Sequence, residues 1–532
     1  MSSNFVPVEI PAGVVTKPTK NMRSSNWAEV NCVRWIEGEL QPIGGMTQYN
    51  YTFASPCRRI HVWYDLQQAL HTAYVCEQNI YIDTAGTLIE ITPTGGWPAP
   101  PLPNQGGYGD LNFGEDLPLA APTTGYGDPR LGSATPAYDQ MPPVWSVDNF
   151  GSILLVMSSV DGFLYEWDPA SAAGTLATPT TSPDTGTGFA PNGRCFVVTA
   201  ERFVMIFGMH NDGVGGGGFR RFGWCDQEAR SSWNFSNVTL QAGFLDIEPS
   251  APIVCADAGK FGVIFFTAKK AYLARYQGLP FIYGYNELAD NCTPISPASI
   301  TSTSAYLGWM SQQGLFMYDG SAITPVDCSV RGWIIADIDP VWARQISCLI
   351  HFPRFNEIWW FYPQNGQTKN TRAVIYNYRM GWWSQARMPR SAGVTASYLS
   401  QPILADGVNA YQHEVPLSQT YINADPPWAE TADLNLTSGT RLATLKQVIP
   451  DVGGDANNVQ FQFWASMSRS TQDNSPLAQW SNAAPITLRN DGYVDARVTG
   501  RDIRMKISLV GPQIKPFTLG QSLIDFAVRG DR

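Results

Sequence analysis

The chain is short of charge. Asp, Glu, Lys and Arg make up 15% of its 532 residues, against about 25% in an ordinary globular chain. Bases are the scarcer kind: 35 Lys and Arg stand against 45 Asp and Glu, a formal net charge of −10. A strongly basic nucleic-acid binder is thereby excluded, because phosphate affinity needs clustered Lys and Arg. The densest basic doublet in the middle, Arg220-Arg221, sits inside an aromatic run. Long apolar runs are missing too, and no stretch approaches the roughly 18 residues of a membrane-spanning helix. The opening MSSNFVPVEIPAGVVTK has neither the basic start nor the apolar stretch of a secretory signal. The expectation is a chain made in a cytoplasm, without a membrane span.

Motifs of catalysis are also lacking. There is no GxSxG, no GxxxxGK[ST], and no GxGxxG between a strand and a helix. Gly213–Gly218 reads as a flexible loop, without the Lys and helix of a phosphate cradle. The five histidines, His61, His71, His210, His351 and His413, are scattered, and none has a partner at the spacing of a zinc helix. The nine cysteines are odd in number, and no two lie within four residues of each other. They read as buried thiols of a reducing compartment. No catalytic residue, cofactor or metal is expected.

What is plentiful is aromatic and turn-forming. The chain holds 18 Trp, 22 Tyr and 25 Phe, with 48 Gly and 39 Pro. Long helices fit that composition poorly; many short strands fit it well. Paired apolar runs joined by tight turns recur at 73–83, 153–168, 262–276, 305–320 and 402–411, with looser copies at 195–225 and 358–378. Each is the signature of a β-hairpin. Their spacing, roughly 35–60 residues apart, is that of propeller blades, and the expected fold is all-β with a β-propeller of about five to seven blades. The expected division is an N-terminal extended arm with incoming strands at 1–58, the propeller at 59–427, and a C-terminal antiparallel β-sheet or sandwich domain at 428–532. The Pro/Gly-rich segment 93–143 is read as an insertion that packs through single aromatic anchors. Only a turn or two of helix is expected, near Pro340–Ile346.

Some residues could carry chemistry. Asp161, Glu166, Asp168, Asp319 and Asp406 lie at turns or strand ends, where paired carboxylates could serve a glycoside hydrolase; Asp is also the favoured turn residue. The runs Ile358–Tyr362 and Trp382-Trp383 could stack sugars or bases, but packing between blades suits them better. The terminal Arg529-Gly530-Asp531 and the sequons at Asn234, Asn237, Asn291 and Asn435 are read as accidental.

The N-terminal IPAGVV at 10–15, Trp27, and NCVRWIEGELQPIGGM at 31–46 resemble a segment of tailed-bacteriophage tail proteins. So do GYGDPR at 125–130, the run from Trp145 to Gly151, the run from Asp161 to Trp167, and the ending from Phe517 to Gly530. The residues that carry the likeness are Trp27, Arg34, Trp35, Gly38, Pro42, Gly44, Gly45, Asp161, Gly162, Tyr165 and Trp167. The nearest role in that group is the tail nozzle of short-tailed phages, similar to tail tubular protein B and packaged-DNA stabilisation proteins. The resemblance implies a virion structural protein without catalytic residues. It implies a ring, usually of six copies, below an adaptor near the portal, with fibres or a needle as further neighbours. Double-stranded DNA would pass through the lumen without specific binding. Two other readings stand beside it: a carbohydrate-binding or glycoside-hydrolysing propeller at the host surface, and a tail hub or fibre-attachment protein.

Overall fold

The structure, a computed structural model, describes residues 5–16, 25–100, 141–415 apart from 173, 186, 211, 213–217, 248–251 and 304, and, further on, 425–434, 436–437, 441–454, 458–467, 480–482, 484–510 and 517–529. The core of 101–140, including GYGDPR, lies outside the described residues. So do Asn435, the Gly213–Gly218 loop up to its last residue, and the terminal tripeptide from Gly530 on.

The fold is almost entirely antiparallel β. Seven four-stranded sheets follow one another along the chain. The first six run in simple sequence order; the second, for example, is Trp145–Phe150, Ile153–Ser158, Leu164–Trp167 and Thr178–Pro179. All seven hairpins read from the sequence supply neighbouring strands of these sheets. The first strands touch in order: Cys57–Tyr64, Trp145–Phe150, Cys195–Val198, Ile253–Gly259, Ile300–Ser302, Cys348–Phe352 and Ala392–Val394. The last of these lies against the first. The arrangement is propeller-like.

Its cores lie between sheets. Trp63, Val75 and Ile82 of the first sheet meet Trp145, Leu154 and Trp167 of the second. The other neighbouring pairs repeat this pattern. A strand with a sheet on each side has no solvent face, so it is buried throughout rather than alternating. Glu357–Tyr362, with all six residues buried, is the clearest case. The C-terminal strands differ: Val459–Ser466 alternates buried and half-buried positions, as a one-sided sheet requires.

Two short helices link the fifth and sixth sheets: Arg331–Asp337 and Pro340–Ile346. The second has Pro340 in its first turn and is capped by Asp339, whose carboxylate accepts from Val341 N and Trp342 N at 3.0 and 2.9 Å. The first was missed in the sequence, because its N-cap, Val330, offers no side-chain cap to read.

The N-terminal segment is built into the sheets. Phe5–Val8 pairs with Ser522–Val528, Trp27–Asn31 with Trp428–Thr431, and the hairpin Val33–Ile36/Glu39–Pro42 meets Phe517–Leu519. Gly45–Thr52 then becomes the fourth strand of the seventh sheet, beside Asn409–Val415. Unpaired strand edges are costly and sticky, and here the two ends of the chain satisfy each other. Of the insertion, Trp97 is buried between the first two sheets, its ring 5.9 Å from that of Tyr165.

Candidate functional site

The N-terminal residues that carry the resemblance converge on one junction. The strand Val33–Ile36 lies against the outer strand of the sixth sheet, Trp382–Ala386. Cys32 N donates to Gln385 O at 3.2 Å, and Ser384 Oγ to Val33 O. This places Arg34 between two carboxylates from different sheets. Its Nε and Nη2 donate to Glu357 at 3.1 Å each, and its Nη1 and Nη2 to Glu414 at 3.0 and 2.6 Å. Phe355 covers the guanidinium, 3.6 Å from its ring centroid. All three charged side chains are at most 5% exposed. Burial would lower the Arg34 pKa, but Glu357 and Glu414 hold it above its ordinary value. Two carboxylates share one cation, so burial raises Glu357 in spite of Arg34 and the Trp359 indole N–H at 2.9 Å.

Gly44 completes the junction. Its N–H donates to Glu414 Oε2 at 3.1 Å. A Cβ there would stand 2.5 Å from that oxygen and 2.7 Å from Glu414 Cα, so only glycine lets the strand approach. Gly38, at φ +92°, turns the hairpin. Pro42 stands opposite Val33, and Gly45 opposite Val415. Trp27 and Trp35 are buried side by side, 6.5 Å between rings.

The remaining motif residues form a separate group in the second sheet. Gly162, at φ +75°, makes the turn, and Asp161 accepts from Tyr165 OH at 2.8 Å and Phe163 N at 3.2 Å. Tyr165 and Trp167 pack against the first sheet. The other weighed carboxylates are engaged locally. Glu166 pairs with Arg230 at 2.9 Å, and Asp168 accepts from Ala170 N. Asp406 accepts from Tyr411 OH at 2.7 Å. Asp319 takes the Ala322 and Ser321 N–H groups and the Ser321 hydroxyl, which hold it down at about 2. Trp359, Trp360 and Trp383 are buried between sheets, which takes them out of reach of a sugar.

Sequence reasoning missed a polar group on the first strands of three sheets. His61 Nε2 meets Asn149 Oδ1 at 2.8 Å and lies 4.0 Å from Asp148. Asp148 accepts from Val198 N of the third sheet at 3.2 Å. Arg59 donates to Trp145 O and to Pro297 O, joining the second sheet to the segment before the fifth. Asp257, on the fourth sheet, is half-buried, and no side chain among the described residues bonds to it. Burial pushes it up to about 6, against the pull of Arg59; burial also raises Asp148, against His61. The one available signal was an Asp at a like position in two first strands, visible only once the sheets are aligned. Among the described residues, no three His, Cys, Asp or Glu are grouped to hold a metal ion.

The Asp257 shift has a sign that can be measured. An acid whose folded pKa is raised destabilises the fold fully above that pKa and not at all below its unfolded value. Asp257→Asn is therefore expected to gain about 1–2 kcal/mol at pH 8, after discounting for partial exposure, and nothing at pH 3.5. Urea unfolding of both chains across that range checks it.

No protein-family model matches the chain, and no curated protein sequence matches it. Several solved structures are similar to it at a low level. The β-propeller domain of Myceliophteria thermophila Cps50 (Swd1) is similar at TM-score 0.35 and 8% identity, over 68% of this chain and 98% of that one. Puromycin hydrolase is similar at 0.33 and 12%, over 79% and 54%. A putative exported protein of Bacteroides fragilis NCTC 9343 is similar at 0.29 and 8%, over 51% and 89%. Likeness at this level bears on no activity.

Proposed function

We propose that the chain is a structural subunit of a bacteriophage tail, a nozzle-type ring component of the conduit that retains and then releases the genome. In this reading the seven sheets are the blades of a closed seven-bladed propeller, sealed by Gly45–Thr52 in the manner of a clasp. The observation that carries the reading is the junction at Arg34. Arg34 and Gly44, two of the residues by which the sequence resembles tail proteins, bond there to Glu357 and Glu414, and the hairpin that carries them joins the N-terminal segment to the propeller-like body. A conduit under internal pressure needs that kind of closure: strands of distant sequence held laterally by pairing.

Charge supports the second half of the role. Six copies at −10 each would carry −60. Where such charge lines a lumen, duplex DNA is repelled instead of releasing counterions onto the wall. Low surface charge also suits permanent contacts with an adaptor, with fibres and with sister subunits. Electron microscopy of the particle carrying this chain, with a gold-labelled tag on the subunit, is expected to place the label at the distal tail. A label absent from particles, or on the capsid shell, would overturn the proposal.

The first-strand group of His61, Asp148 and Asp257 favours a second reading, a propeller that binds or cleaves a polysaccharide. Release of reducing ends from cell-wall polysaccharide, lost in Asp148→Asn and Asp257→Asn, would establish it.

A further inference from the structure

Beside the junction lies an open cleft of about 620 Å³, within the size range of ligand-binding sites. The half-buried Trp382 walls it, and Trp27, Trp35, Leu40 and Leu519, all nearly buried, line the rest. Glu9, Glu37, Glu39 and Asp451 stand exposed around it, and among the described residues no Lys or Arg lines it. None of these four carboxylates is ion-paired among the described residues. A cation brought among exposed carboxylates is attracted by them. Indole faces are the best aromatic partners for a cation. The indole N–H of Trp27 is buried without an acceptor among the described residues.

The backbone beside the cleft has its own unused capacity. Phe5–Val8 is the end strand of its sheet. The segment after it, Glu9 to Ala12, lines the cleft, and among the described residues its Glu9, Ile10 and Ala12 amides donate to no protein acceptor. An extended chain laid along such an edge gains main-chain hydrogen bonds, while alternate side chains enter the pockets beside it.

We propose that this cleft binds an extended segment of a partner protein in which Lys or Arg alternates with apolar residues. The apolar stems lie on Trp382, the cationic ends meet the four carboxylates, and the main chain pairs along Glu9–Ala12. The proposal goes beyond the ring reading and does not depend on it.

The test uses the full-length protein and a fluorescein-labelled, capped peptide of alternating leucine and lysine, followed by anisotropy. Saturable, salt-sensitive binding is expected. Acetylating the lysines, or introducing Glu37→Gln, Glu39→Gln and Asp451→Asn together, is expected to weaken it at least about tenfold, since each abolishes the cation–carboxylate contact. Glu228→Gln, an exposed carboxylate of the third sheet, is expected to change nothing. Hydrogen exchange is expected to slow at the Ile10 and Ala12 amides when peptide is bound. Absence of saturable binding, equal binding of the acetylated peptide, or indifference to the triple substitution would overturn the proposal. So would unprotected Ile10 and Ala12 amides. Displacement by spermidine at matched charge would assign the cleft to free polyamines and likewise overturn it.

Discussion

Arg34→Met is expected to cost about 3–5 kcal/mol, the range found when one partner of a buried ion group is removed. The loss arises less from missing attraction than from what stays behind: Glu357 and Glu414, both within the protein, facing each other without a cation. Protonation then becomes the cheapest relief, so the Glu357 carboxyl, already raised by burial, rises further in the folded state. An acid raised in this way destabilises fully above its folded pKa and ceases to do so below its unfolded one. The deficit of Arg34→Met is therefore largest near pH 8 and shrinks steadily towards pH 4. Adding Glu357→Gln and Glu414→Gln is expected to recover most of the stability at pH 8. The amide oxygens still accept from the Trp359 indole and the Gly44 N–H, and no charge is left unpaired. Urea midpoints of the single and triple variants at both pH values check this. Equal deficits in the two variants would show that the guanidinium acts through packing on Phe355 and not through its charge.

Removing residues 1–44 is expected to have the second large effect. Those residues carry Trp27, Val30, Val33, Trp35 and Leu40, all nearly fully buried. At about 1.5–3 kcal/mol for each large side chain, their loss is comparable to the whole stability of a domain. It falls unevenly. The three C-terminal sheets each lose a strand or a hairpin, whereas the seven propeller-like sheets keep Gly45–Thr52. Limited proteolysis of the 45–532 chain should digest the part beyond about residue 425 and spare 45–415. A chain starting at residue 53 loses the clasp as well and should be digested throughout. Equal resistance of all three chains would show that the N-terminal strands are decoration and not structure.

Much of the body was legible in the sequence because its strands are covered on both faces. Runs such as Ile358–Tyr362 and Val204–Phe207 have no polar alternation to blur them, and turns such as Asp161-Gly162 and Asp406-Gly407 punctuate them. The change to alternation after residue 428 was legible for the opposite reason, a sheet with one wet face. The course of the chain's beginning was not legible. Gly45–Thr52 finds its partner more than 350 residues away at Asn409–Val415, and register over that distance leaves no local trace. Arg34 shows the same limit. Its place in a motif was visible, but its partners Glu357 and Glu414 lie on separate sheets, and neither has a sequence neighbour that marks it. Asp148 and Asp257 sit in short first strands whose equivalence appears only in three dimensions. The carboxylates that did stand out, Asp161, Asp319 and Asp406, stood out because turns use Asp, and turns are what they serve.

The proposed role requires subunits that join into a closed ring. Native mass spectrometry of the purified chain, alone and mixed with tail proteins of a short-tailed phage, tests this most directly. One copy weighs 58.5 kDa, and the expected dominant species is a hexamer of about 350 kDa, formed by repeated heterologous contacts that close on themselves. A lasting 58.5 kDa monomer in both samples would contradict the account.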